Sequence, residues 1–198
     1  LSIIAVVSNI VNYRNMMEMS QQQSNISKYY IKGVDLSGRL YVDIETEWRS
    51  LESFMMAYQM GNTEVANKEY ENMKTVQKQT YSDLDEYKAL PGQSGKTELL
   101  NNFESEVKKV EKAAESALAD AQSGNGTQAL MSINQTMLPA AEKMETTIKE
   151  LKEYETKGAD SASQKAQDIY QKARTLGLIL LIFIALFFVF TFFFLEFI

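Results

Sequence analysis

Apolar residues recur along most of the chain at alternating steps of three and four, the spacing of a helix that packs on other helices. Three short segments interrupt this spacing, and each is rich in glycine or polar turn residues: 61–63, 91–95 and 123–127. Three breaks separate four predicted helices, which span residues 8–60, 63–90, 97–122 and 127–198. No alternating β pattern competes with them, so the sequence predicts an all-α protein.

Each predicted helix carries one seam of mostly apolar residues. The four seams are 30-33-37-40-44-47-51-54-58, 66-70-73-77-80-84-87, 100-103-107-110-114-117-121 and 130-134-137-141-144-148-151. Seams of this rhythm predict knobs-into-holes packing, and short connections make neighbouring helices antiparallel. We therefore predict an antiparallel up-down four-helix bundle with long first and fourth helices, the fourth continuing into a transmembrane helix.

The unequal helix lengths predict a stalk. Because the second and third helices are shorter, residues 10–30 and 155–175 are left as a two-helix segment leading towards the membrane. The fourth helix keeps a seam of small residues there: Ala159, Ala162, Ala166, Ile169 and Ala173. Two helices alone form a marginal structure, so we expect a second protomer to pair with this stalk.

The end of the chain predicts a membrane span. The twenty positions from Leu176 to Leu195 contain no charge, and about 1.5 Å of rise per residue makes them about as long as a bilayer core is thick. Residues 1–10 are interpreted as the end of a first span, or alternatively as an apolar helix end that packs on the bundle. We predict a sensor domain over residues 11–175 and a second span over 176–198, in the cell membrane.

Composition removes several function classes. The chain has a formal net charge of −6, and its charges are dispersed, which argues against nucleic-acid binding. It contains no cysteine and no histidine, which excludes disulfides and thiolate sites and removes the commonest general base and transition-metal ligand. We therefore expect no enzyme activity, no metal site and no cofactor.

A second apolar stripe lies beside the seam of the first helix. It comprises Tyr41, Val42, Trp48, Met55 and Met56, with Arg49 in the same row. A surface helix needs only one apolar face, so the surplus indicates a further buried surface. We interpret these five residues as a homodimer interface; the alternative is that they pack against a neighbouring helix of the same bundle.

Arg49 is the candidate ligand-binding cation, because a guanidinium can hold a carboxylate through two parallel hydrogen bonds. In that interpretation Trp48 is an apolar wall beside it. The alternative is that Arg49 pairs with Glu45 or Glu52, one helical turn away on either side. The predicted ligand-binding residues are Trp48, Arg49, Glu45, Gln135 and Pro139.

The fourth helix supplies the other candidate site residues. Pro139 cannot donate a backbone hydrogen bond and so frees the carbonyl of Gln135. Counting from the loops at the tip of the bundle places Pro139 level with Trp48, so we expect a ligand cavity between them; the alternative is that Pro139 only bends the helix. Glu47 and Gln77 fall at one level of the core, which predicts a hydrogen-bonded polar layer or, alternatively, a water-filled pocket.

The helix breaks and the segment from Ser123 to Leu151 resemble the four-helix-bundle ligand-binding domain of methyl-accepting chemotaxis proteins, the class that includes the bacterial aspartate and serine receptors. The resembling features are the glycine turn, the following Ala129-Leu130, Pro139 within the helix and the closing Glu150-Leu151. The resemblance implies a dimeric receptor with a HAMP linker and a cytoplasmic signalling module after Ile198.

The predicted function is therefore the extracytoplasmic ligand-sensing domain of a bacterial transmembrane chemoreceptor. Its expected partners are a small-molecule ligand or a ligand-loaded binding protein, a second copy of the chain and membrane lipid. Two alternatives stay open. Related bundles are also sensor domains of histidine kinases and diguanylate cyclases, and a bundle with one anchor can be structural or pore-forming.

Overall fold

The structure, a computed structural model, describes residues 2–91 and 94–196. Within these ranges the chain is helical and contains no strand. The α-helices are α1 Ser2–Asn25, α2 Lys32–Gln59, α3 Thr63–Ala89, α4 Ser94–Gln122, α5 Gly126–Ser132 and α6 Leu138–Glu196. Two π-helical segments, Ile26–Ile31 and Ile133–Met137, join α1 to α2 and α5 to α6 without a break. We refer to the continuous helices 2–59 and 126–196 as helix one and helix four.

The residues at the described turns explain the backbone conformation of these turns. Gly61 and Gly124 have φ angles of +72° and +79°, a backbone conformation that glycine adopts at little cost. Asn62 caps α3, because its side chain accepts a hydrogen bond from the Val65 amide at 3.2 Å. The predicted loop residues Gly92 and Gln93, and residues 1, 197 and 198, lie outside the described part of the chain.

The predicted four-helix bundle is confirmed, and its core contains the first three predicted seams together with residues of helix four. Buried seam members include Leu40 and Phe54 of α2, Met73 and Tyr87 of α3, and Phe103 and Val107 of α4. The buried set recurs at steps of three and four, as knobs-into-holes packing requires. Burial of apolar side chains from all four helices is therefore the main contribution to the stability of the bundle.

The seam predicted for helix four is wrong at Asn134, which is exposed. Ile133 is buried in its place, with Ala129 before it and Met137 after it. The cause is the π-helical segment, because its wider turn contains more residues than an α-helical turn and so the step before Met137 is four residues, from Ile133, in place of the predicted three. From Met137 onward the helix is α-helical, and the predicted positions Met144, Ile148 and Leu151 are buried.

The chain divides into two compact units, of which the first is residues 29–157 and contains the bundle. The second unit combines residues 1–28 with residues 158–198. Most described side chains of this second unit are exposed, although Ala162 is buried. The predicted bounds of the spans, the domain and the stalk stay predictions.

Among the described residues, one helix contains a stretch that is long and apolar enough to cross a membrane. The helix is Gly126–Phe193, and the apolar stretch is not buried by any part of the chain. Its exposed side chains include Leu181, Phe183, Phe188 and Phe190. Such a run is stable in hydrocarbon, where the helix satisfies its own backbone hydrogen bonds.

Candidate functional site

Trp48 lies half-buried on α2 and contacts the bundle core. Its indole Nε1 donates a hydrogen bond to Glu52 Oε1 at 3.1 Å. It lines a small recess with Met137 and Ala141 of helix four, which lie two positions before and two positions after Pro139. The recess has a volume of about 10 Å³, which is the lower limit for one water molecule. In this conformation the recess has no space for an organic ligand.

Arg49 points away from that recess. Its side chain is 78% exposed, and its Nη2 atom lies 4.0 Å from Glu45 Oε2, one turn earlier on the helix. The Glu45 side chain is itself 47% exposed. An exposed pair of this kind contributes little to stability. A ligand carboxylate at Arg49 would bind on the outer surface of α2, and this role stays a prediction.

Gln135 and Pro139 are exposed on helix four. Gln135 lies inside the π-helical segment, and Pro139 follows that segment after one residue. Leu138 donates its backbone N–H to the Ile133 carbonyl, five residues back, which is the bond of a π-helix. Proline at the next position has no N–H to donate, so it favours the wide turn beside it. The binding role predicted for these two residues is untested.

The predicted dimer stripe divides into two groups. Tyr41, Val42 and Met56 are exposed along α2, whereas Trp48 and Met55 are half-buried and pack against the core. The packing of Trp48 and Met55 corresponds to the alternative reading, in which aromatic and methionine side chains fill space within their own bundle. The three exposed residues form an apolar surface that the bundle does not cover.

A larger pocket, which the sequence did not predict, lies where the α2–α3 and α4–α5 loops meet. Its volume is about 590 Å³, within the range of small-molecule sites. We call it the tip pocket. Its inner wall consists of apolar or aromatic residues: Phe54, Met55, Tyr58, Ala66, Leu118, Ala121, Ala129 and Leu130. Its rim carries the exposed neutral polar residues Gln59, Thr63, Asn67 and Gln122.

Two aromatic rings hold one side of the tip pocket in place. The centroids of Phe54 and Tyr58 are 6.4 Å apart, and the rings are inclined by 19°. The Tyr58 hydroxyl donates a hydrogen bond to the backbone carbonyl of Ala121, which joins α2 to the end of α4. This bond fixes the tyrosine ring as a wall and engages its polar atom. Gly61 and Gly124, the two turn glycines, border the same space.

Comparison with known families agrees with this architecture. Residues 1–170 match the four-helix-bundle sensory module for signal transduction. The chain belongs to this family of sensory modules. A search of curated proteins finds no match. The match covers the first three helices, the loops and the bundle part of helix four, so it includes the tip pocket and the Trp48 recess.

The sensory module contains the predicted polar layer in its core. Gln77 Nε2 on α3 donates a hydrogen bond to Glu47 Oε1 on α2 at 2.7 Å, and both residues are buried. Burial raises the pKa of Glu47 to about 7; the Gln77 bond opposes this rise, and the carboxylates of Glu111 and Asp43 add to it. The Glu47 carboxyl group therefore titrates near physiological pH, so the polar layer is neutral at lower pH and negatively charged at higher pH.

A second buried polar group of the sensory module was missed at the sequence level. Lys96 Nζ of α4 lies 3.0 Å from Glu155 Oε1 of helix four, and each side chain is 2% exposed. The ammonium also lies 4.8 Å from the centroid of the Tyr87 ring. A Cβ atom at Gly33 would overlap the carboxyl carbon of Glu155, so a larger residue at position 33 would displace the Glu155 side chain. Because Glu155 continues the helix-four seam one step after Leu151, the seam was the available signal.

The buried environment of the Lys96–Glu155 pair also affects the ionisation of Tyr87. Burial, and then the Glu155 carboxylate, raise the pKa of its hydroxyl far above the usual value, so the phenol stays protonated. A buried ion pair of this kind contributes little net stability, but loss of one partner leaves an uncompensated charge. The pair joins helix four to α4 inside the bundle. Among the described residues, no group of three or more acidic side chains is arranged to bind a metal.

Proposed function

We propose that this chain is the extracytoplasmic ligand-sensing domain of a bacterial transmembrane chemoreceptor. Membership in the signal-transduction sensory modules supports a receptor, and the apolar stretch of helix four supports attachment to a membrane. Residues 11–175 are then outside the cytoplasm, between a first span that ends near residue 10 and a second span over 176–198. In this proposal a cytoplasmic signalling module of the chemotaxis type lies downstream of residue 198; the alternative is the sensor domain of a membrane histidine kinase or diguanylate cyclase.

The observation that carries this proposal is the single helix α6. It begins at Leu138 within the bundle core, contributes Met144, Ile148 and Leu151 to that core, and continues to Glu196 in the apolar stretch. A change at the core end of one uninterrupted helix is transmitted along its backbone hydrogen bonds. Displacements of about 1–2 Å are typical of helix shifts in signalling. A ligand that binds one arrangement better shifts the population towards it.

A homodimer completes the proposed receptor. The exposed apolar residues Tyr41, Val42 and Met56 lie along one face of α2 and would be covered by the same face of a second copy. A two-fold axis makes such a surface self-complementary. The stalk segments 10–30 and 155–175 would then pair with those of the partner, which supplies the packing that two helices alone lack.

Membrane topology is tested with single cysteines, because the natural chain has none. Lys78→Cys places a thiol at an exposed position of α3, and a cysteine appended after Ile198 marks the other side of the second span. In intact cells whose outer membrane is permeabilised, an impermeant maleimide should label the cysteine at position 78. The appended cysteine should react only after lysis. Labelling of both, or of neither, in intact cells would contradict the proposed topology.

The same approach tests the dimer surface. Val42→Cys should form an intermolecular disulfide under mild oxidation, because equivalent positions face each other across the axis. Lys78→Cys, on a different helix and also exposed, is the matched control and should remain monomeric on a non-reducing gel. Equal cross-linking of the two variants would show that α2 is not the interface.

A further inference from the structure

The tip pocket is large enough for an organic molecule, with a volume of about 590 Å³. Small residues contribute to this space. Ala66, Ala121 and Ala129 are buried at its inner end, on three different helices. None of these three side chains is long enough to fill the space between the helices. The bundle therefore opens at this end rather than closing on itself.

The residues that line the tip pocket carry no formal charge. Transfer of a carboxylate or an ammonium group from water into such a site is costly unless an opposite charge pairs with it. Arg49 belongs to the Trp48 region and does not line this pocket. The chemistry of the wall thus disfavours amino acids and organic acids, the ligands that a site at Arg49 would select.

The polar groups that are present favour a neutral ligand. Gln59, Thr63, Asn67 and Gln122 lie at the exposed rim and offer amide and hydroxyl groups as both donors and acceptors. The inner wall includes the aromatic rings of Phe54 and Tyr58, whose planes are inclined by 19° to each other. A flat ring inside and one neutral hydroxyl or carbonyl group at the rim would satisfy both regions.

We propose that the tip pocket binds an uncharged aromatic molecule of one or two rings that carries a neutral polar group. This inference rests on the proposed function for its biological meaning, because it names the class of ligand that the receptor senses. A ligand there would contact Ala129 and Leu130 of α5, the first turns of helix four. The π-helical segment Ile133–Met137 follows directly, so occupancy would act on the part of helix four with the least regular backbone.

The test is a pair of ring compounds that differ in charge. The whole 198-residue chain, in detergent micelles, is titrated calorimetrically with 4-methylphenol and with 4-hydroxybenzoate, and its melting temperature is measured with each. The expected result is saturable binding of 4-methylphenol, at least tenfold tighter than that of 4-hydroxybenzoate. Binding of the benzoate with equal or higher affinity would overturn the assignment of ligand class.

Two tryptophan variants locate the site. Asn67→Trp places a large ring at the mouth of the tip pocket, whereas Asn72→Trp makes the same change at an exposed position of α3 that does not line it. Asn67→Trp should weaken 4-methylphenol binding at least tenfold, and Asn72→Trp should leave it within twofold. Equal effects of the two variants would show that 4-methylphenol partitions into the micelles or binds at another site, and would overturn the proposal.

The test of the ligand class and the test of the proposed function can fail independently of each other. Failure of the folded chain to bind 4-methylphenol overturns the ligand inference, whereas the cysteine labelling decides the receptor topology without any ligand. Conversely, binding that Asn67→Trp abolishes would support the tip pocket even if the topology result were negative.

Discussion

Glu47 shows how one buried residue can make the bundle respond to pH. Its carboxyl group is within the core, beside Gln77, and burial raises its pKa to about 7 from a usual value of 4.5. A carboxyl group whose pKa is raised on folding stabilises the fold in its protonated form. That stability is fully present below about pH 4.5 and is lost as the pH rises through 7.

Glu47→Gln should therefore raise the free energy of unfolding at pH 8, by about 3 kcal/mol if the whole shift in pKa is realised. Glutamine keeps an acceptor for the Gln77 amide and cannot ionise. The measurement is urea unfolding of the chain at pH 4.5 and pH 8. The variant should show a smaller loss of stability between the two pH values than the natural chain.

Glu142→Gln, at an exposed position of helix four, is the control and should leave the pH dependence unchanged. A Glu47→Gln variant that is less stable than the natural chain at pH 8 would show that the carboxylate is stabilised in the core.

At the scale of the elements, the sequence predicted what depends on periodicity. The seams of α2, α3 and α4 were found because apolar side chains must recur at steps of three and four to be buried. The register of helix four before Met137 was not found, because Pro139 signals a missing backbone hydrogen bond but the spacing of apolar residues does not display the π-helical segment beside it. The Lys96–Glu155 pair and the tip pocket depend on which distant residues the fold brings together, so spacing along the chain did not predict them.

The π-helical segment gives the element-scale prediction. Pro139→Ala restores a backbone N–H that can donate to the Gln135 carbonyl and removes the ring that obstructs an α-helical turn. Pro139 is exposed, so little packing is lost. The free energy of unfolding should rise by about 1–3 kcal/mol, and amide exchange over residues 133–139 should become slower.

Gln135→Ala keeps the backbone N–H and is the matched control within the same segment. It should change stability by no more than about 0.5 kcal/mol. If Pro139→Ala destabilises the chain or leaves amide exchange unchanged, the proline is not the cause of the wide turn.

At the scale of the whole molecule, the proposal connects three features of helix four. Its first turns line the tip pocket, its middle contributes to the bundle core and forms the pair between Glu155 and Lys96, and its last turns are the apolar stretch. Signalling through this helix requires that its segments remain mechanically joined. The family match supports a sensory role, and continuity of the helix supports the route by which a signal leaves the domain.

The most direct test interrupts helix four between the core and the apolar stretch. In a full receptor that contains this domain, residues 156–160 are replaced by five glycines, and a matched variant carries five alanines at the same positions. Each glycine weakens a helix by about 1 kcal/mol relative to alanine. The stimulus is the compound that a thermal-shift screen of residues 11–175 selects. Ligand binding and the signalling output of the receptor are both measured: the glycine variant should bind normally and give no response, whereas the alanine variant should respond. An undiminished response from the glycine variant would contradict transmission through helix four.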